Sequence, residues 1–148
     1  MYKFQAMTSM LVNKLYPKLE EFTKQKKGCS ADYIVDGKYC LEVKLDLMAD
    51  KTGNIFVEYA NKNKEDIYDS GITLSAKWDY NVLYLLPNKE NVKAYEIPAQ
   101  VLLDLAKQHG KPVETRPRVN GNREGFSALG YKLDYAHIKE YFKGTISL

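Results

Sequence analysis

The residues best suited to chemistry lie in one short stretch, DYIVDGKYCLEVK, running from Asp32 to Lys44. Glu42 and Lys44 are two positions apart, so on a β-strand both side chains leave the same face. Between Asp32 and this pair stands Asp36-Gly37, a hairpin signal because both residues tolerate the positive φ that tight turns demand. The turn folds Asp32 back beside Glu42, and the register then decides which face it takes. A strict two-residue turn would pair Asp32 with Leu41 and aim it away from Glu42. We therefore expect a one-residue bulge or a three-residue loop that restores the common face.

Two carboxylates and a lysine on one face suit phosphodiester hydrolysis. Hard carboxylate oxygens hold Mg²⁺, with Mn²⁺ as a substitute, and the metal stabilises the developing oxyanion. Asp32 and Glu42 are the expected metal ligands, with the Val43 carbonyl as a third. Lys44 is expected to orient or help deprotonate the attacking water and to offset charge in the transition state. The plainer alternative is a half-exposed strand carrying Glu42 and Lys44 as ordinary surface residues. Asp46 continues their face by parity and is a candidate for a second metal or for holding Lys44. Glu58 stands between Val57 and Tyr59, and an acid among apolar neighbours is costly to bury without a partner. Lys44 or a metal would serve.

The elements that must position these groups follow from periodicity. From Met7 to Lys27 apolar residues recur at helical spacing and Gly28 supplies a stop, with a kink or break expected near Tyr16 because Pro17 removes a backbone donor. Asp32 to Val35 and Tyr39 to Leu45 read as antiparallel strands, and Ile55 to Tyr59 as a third strand of the same sheet. The polar segment Lys62 to Asp69 reads as loop, and Ser75 to Tyr80 as short helix. Val82 to Leu86 and Val92 to Ile97 are further strands joined at Pro87-Asn88. Val101, Leu102, Leu105 and Ala106 mark a helix begun at Pro98 and ended at Gly110. An excursion from Arg116 to Ser127, a strand from Gly130 to Leu133 and a terminal helix from Tyr135 to Phe142 complete the chain. The expected architecture is α/β, a central mixed β-sheet flanked by helices, in one domain spanning residues 1–148.

Glu42-Val43-Lys44-Leu45-Asp46, then Thr52 to Glu58 (TGNIFVE), then Ser70-Gly71-Ile72, then Asp79-Tyr80 before an apolar strand, form a linked order. In that order the chain resembles a phage-associated family of PD-(D/E)XK nuclease-like proteins, over roughly Ser30 to Leu86. The resemblance implies a restriction-endonuclease-like fold and a Mg²⁺-dependent endodeoxyribonuclease with its site at Asp32, Glu42 and Lys44 and Glu58 as an added acidic position. It implies Glu20 or Glu21 as an outer ligand from the preceding helix, where the residues alone equally suggest pairing with Lys24. It also implies branched or junction DNA as substrate and a homodimer. Two competing expectations stand beside it: a catalytically silent DNA- or protein-binding module that keeps the fold, and an interaction protein in which the Glu-Val-Lys run is coincidental.

Bulk properties bound these readings. A 148-residue chain with 45% hydrophobic and 28% charged residues can build one core. A net charge of +3 says little by itself. Its distribution says more: Lys24, Lys26 and Lys27 cluster before the candidate site, and all three arginines, Arg116, Arg118 and Arg123, fall in one Gly/Asn-rich stretch. Both are candidate phosphate contacts, as is Lys77 beside Trp78. Cys29 and Cys40 lack metal or redox spacing and are expected to be reduced and buried. His109 and His137 receive no catalytic role. With no apolar run of membrane length and no visible signal peptide, the expected location is the cytosol, of phage host or bacterium.

Overall fold

The computed structural model describes residues 2–16, 31–115, 118–119, 122–123 and 126–147. Helix α1 (Tyr2–Leu15) is followed by β1 (Tyr33–Val35), β2 (Tyr39–Leu45), the single turn α2 (Ala49–Thr52), β3 (Asn54–Asn63), β4 (Asp66–Asp69) and α3 (Ile72–Lys77). Then come β5 (Asn81–Pro87), β6 (Asn91–Pro98), α4 (Ala99–His109), β7 (Lys111–Thr115), β8 (Arg118–Val119), β9 (Asn122–Arg123), β10 (Phe126–Asp134), a 3-10 helix (Tyr135–Tyr141) and β11 (Phe142–Ser147). The described part of α1 ends at Leu15, next to the residue before Pro17, as the missing donor requires.

The strands form a five-stranded mixed sheet ordered β1-β2-β5-β6-β11, a four-stranded antiparallel sheet ordered β4-β3-β10-β7, and the small β8-β9 ribbon. In the mixed sheet β2 and β5 are parallel and the other neighbours antiparallel. Both faces of this sheet are covered. Tyr33, Val35, Leu41, Leu83 and Leu85 pack against Leu11 and Val12 of α1. On the other face Val82, Tyr84 and Ile97 meet Leu102 and Ala106 of α4 together with Ile55, Val57 and Leu133 of the second sheet. Burial on both faces explains why β5 reads as an unbroken apolar run instead of alternating. It also means that Glu42 and Lys44 on β2 share the face of Val82 and Tyr84, their register partners across the parallel ladder.

Several sequence expectations need correction. Ile55 to Tyr59 is a strand, but it leaves the first sheet and pairs with β10 in the second, where the later residues of β3 also pair with β4. Residues 62–69 are not loop: apart from a turn at Lys64-Glu65 they complete β3 and form β4, an exposed edge whose charged residues hid it from a hydrophobicity pattern. The terminal helix is a 3-10 helix, and Phe142 onwards is β11, an edge strand held mainly by its ladder with β6. Lys111–Thr115, unassigned by pattern, is the edge strand β7. Cys40 is half-buried and disulfide-bonded, which overturns the expectation of a reduced, buried thiol there; Cys29 lies outside the described residues. No described helix is long and apolar enough to cross a membrane.

Candidate active site

The β1–β2 turn has three residues between its register ends. Val35 pairs with Tyr39, and the Lys38 N–H donates to the Val35 carbonyl at 2.9 Å. Asp36 (φ 52°) and Gly37 (φ 65°) take the positive φ that the sequence signalled. Because Tyr33 pairs with Leu41, the next position sets Asp32 across from Glu42, on the same face. The expected loop irregularity is thus present, and it brings the Asp32 charge to bear on the Glu42 carboxyl.

Asp32 also anchors the strand edge. Its Oδ2 accepts from the Val43 N–H at 2.9 Å, just beyond the end of β1. A residue's N–H and C=O leave a strand toward the same neighbour, and the Asp46 N–H donating to the Leu85 carbonyl shows that even-numbered residues point to β5. The Val43 carbonyl therefore faces the same edge as Asp32. Two carboxylates and a carbonyl at one edge form a hard-oxygen donor set of the kind Mg²⁺ takes, with water and substrate oxygens completing its shell. Among the described residues no group of three or more His, Cys, Asp or Glu gathers closely enough to hold a metal by side chains alone.

The electrostatics of the pair are unusual. Burial pushes the Glu42 carboxyl up to about 7, and the Asp32 charge and hydrogen bond add to this while Lys44 opposes it. Beside the Asp32 charge the Glu42 carboxyl does not ionise cheaply, and a bound cation would offset that cost.

Lys44 borders two cavities. One, of about 220 Å³, is lined by Glu42, Lys44, Gly71, Leu74, Ser75, Trp78 and Tyr80. The other, of about 110 Å³, contains Lys44, Phe56, Glu58 and Tyr84 in its wall, with Gly71 and Ser75 common to both. Glu58 is oriented by Ser70, whose Oγ donates to its Oε2 at 2.8 Å. Tyr84 donates to the Phe56 carbonyl at 3.0 Å, and burial with the Asp46 and Glu58 charges keeps its hydroxyl protonated. Gly71 lets α3 approach this wall: at φ 53° a Cβ there would lie 2.3 Å from the Glu58 carbonyl oxygen. Sequence reasoning did not assign Gly71, Leu74, Ser75 or Tyr80 to the site. The Ser-Gly step before α3 was the available signal.

The remaining candidates divide. Asp46 spends its carboxylate on structure: Oδ1 accepts from the Met48 and Ala49 N–H groups at 3.0 Å each, and Oδ2 from the Phe56 N–H at 3.1 Å. Asp79 adopts φ 59° and stops α3. Lys77 and Trp78 are exposed at the end of α3, with the Lys77 Nζ 5.8 Å from the indole centroid. Arg118 and Arg123 are register partners in the β8–β9 ribbon. Glu20, Glu21, Lys24, Lys26, Lys27 and Arg116 lie outside the described residues. His109 and His137 stack on each other with centroids 4.3 Å apart, away from these groups.

No protein-family model, curated protein or solved structure matches this chain.

Proposed function

We propose that the protein is a Mg²⁺-dependent endodeoxyribonuclease of the PD-(D/E)XK kind, with a restriction-endonuclease-like arrangement of its mixed sheet. One observation carries this reading: the three-residue β1–β2 loop sets Asp32 across from Glu42 on the face where Lys44 borders a cavity. A partly buried carboxyl held above its ordinary protonation range, as Glu42 is, costs stability, and such groups gather where chemistry needs them.

Asp32 and Glu42, with the Val43 carbonyl, would hold the metal, which when bound supplies Lewis acidity toward a phosphoryl oxygen. Lys44 directs its ammonium to the attacking water and counters the charge that develops on the phosphate. Glu58, which lines the smaller cavity together with Lys44, would be the added acid, its carboxylate aligned by Ser70. Asp46 holds β2, α2 and β3 in register behind them. Branched or junction DNA and a homodimer belong to the same proposal.

The test is purified protein with Mg²⁺ or Mn²⁺ against linear duplex, single-stranded and four-way-junction DNA. Metal-dependent cleavage abolished by Glu42→Gln supports the reading. Binding without cleavage on every DNA form would instead identify a silent DNA-binding module, and absence of both would leave Glu-Val-Lys as a coincidence of sequence.

A further inference from the structure

The larger cavity beside Lys44 has both polar and apolar lining. Glu42 and Lys44 contribute charged groups, and Leu74 and Trp78 of the α3 segment contribute an apolar wall. That wall faces water: Trp78 is 57% exposed and Leu74 is 40% exposed. An indole left in solvent contributes little to the core, yet its backbone is held firmly. The Trp78 N–H donates to the Leu74 carbonyl at 3.0 Å, the Asp79 N–H donates to the Ala76 carbonyl, and the Tyr80 N–H donates to the Ser75 carbonyl. An exposed aromatic ring on a hydrogen-bonded backbone thus flanks the cavity that Lys44 borders, with a second cation, Lys77, alongside.

A nucleotide has the same polarity, an anionic phosphate joined to a flat, weakly polar base. In continuous duplex both faces of each base are covered by its neighbours, so an indole beside the phosphate has nothing to stack on. An unpaired base offers its face, and base–aromatic stacking tolerates any sequence because every base has a π-face. We infer that Trp78, backed by Leu74, is a stacking platform for an unpaired base adjoining the phosphate at Glu42 and Lys44. The substrate class is then DNA with unpaired nucleotides at the cut, such as a single strand or the arm of a branch, in preference to continuous duplex. This inference rests on the nuclease reading of the site.

Trp78 is the only tryptophan of the chain, so indole fluorescence reports the contact directly. The full-length protein in Ca²⁺ is titrated with a short oligothymidylate, with an abasic oligonucleotide of equal length, and with blunt duplex. Quenching by oligothymidylate but by neither of the others is the expected result. Binding of labelled oligothymidylate, read by anisotropy, should weaken about 5- to 150-fold in Trp78→Ala, the range that loss of one stacked base implies. Trp78→Phe should recover most of it. Equal quenching by the abasic strand, or unchanged binding by Trp78→Ala, would overturn the platform. The two readings fail separately. Wild type that stacks oligothymidylate without cutting any DNA retains the platform and refutes the nuclease. Wild type that cuts duplex and single strands alike, with Trp78→Ala equally active on both, retains the nuclease and refutes the platform.

Discussion

Glu42 links the geometry of the site to a measurable cost. Its folded-state range is raised, mainly by burial and then by Asp32, from the ordinary 4.5 to about 7. The fold therefore favours the protonated acid. The stability this group contributes is complete below about pH 4.5 and declines as pH rises toward 7. Urea unfolding of the metal-free protein should show that decline between pH 5 and 8, and Glu42→Gln, which cannot ionise, should flatten it and be the more stable form at pH 8. A wild-type profile without that slope would mean that Glu42 ionises freely. At Lys44 the expectation is kinetic. Lys44→Ala leaves both carboxylates in place, so DNA binding in Ca²⁺ should persist while single-turnover cleavage in Mg²⁺ falls by about 10² to 10³, the usual cost of one electrostatic group acting on the transition state. Equal cleavage by the variant and wild type would remove the lysine from the mechanism.

Elements meet the site through a few tight contacts. Gly71→Ala would combine a positive φ with a 2.3 Å clash on the Glu58 carbonyl, and strain of this sort costs about 1–3 kcal/mol. Because α3 would have to move off β3, the shift should register both as a lowered melting temperature and as altered Trp78 fluorescence. A second set of contacts ties the opposite face. Glu96 of β6 accepts from Tyr16 after α1, from Tyr39 of β2 at 3.2 Å, from Asn81 of β5 at 2.9 Å and from Lys143 of β11 at 3.3 Å. Burial alone would raise Glu96, but the Tyr16 and Asn81 hydrogen bonds and the Lys143 charge outweigh it and hold the carboxyl below its ordinary range. A depressed carboxylate stabilises the fold above its unfolded range and loses that contribution as pH falls through the folded one. Glu96→Gln should thus lower stability at pH 6 and make the acid side of the unfolding profile, below about pH 4, shallower. An unchanged acid limb would show that the cluster is not what fails in acid.

At the scale of the molecule, a net charge of +3 is too small to bind a polyanion without local concentration, so the DNA affinity that the proposed function requires would come from cations near the cavity and in the arginine stretch. The measurement is the dependence of affinity on salt. Neutralising Lys77 should reduce the log–log slope by about 0.7 on single-stranded DNA if it contacts one phosphate. A slope unaffected by Lys77→Gln would return that residue to the solvated surface.

The carboxylate–lysine face was legible in sequence because it depends on local rules. Parity along one strand joins Glu42 to Lys44, and the positive-φ pair Asp36-Gly37 marks the turn that returns Asp32 to them. The helical periodicity of residues 99–109 and the unbroken apolar run of β5 are equally local, and both elements stand where they were expected. Which sheet a strand joins is not local. Ile55 to Tyr59 has the same β pattern in either sheet, and its partner β10 lies more than sixty residues away in the chain. The exposed edges β4, β7 and β11 bury few side chains and are held by backbone ladders, which leave little trace in residue type. The destiny of each acid was decided the same way. Asp46 and Glu42 share a strand face by parity, yet only the tertiary fold brings three backbone N–H groups to Asp46 and leaves Glu42 beside Asp32 and a cavity walled by α3. Side-chain direction is a property of the strand, whereas the partner a side chain meets depends on the packing of segments distant in sequence.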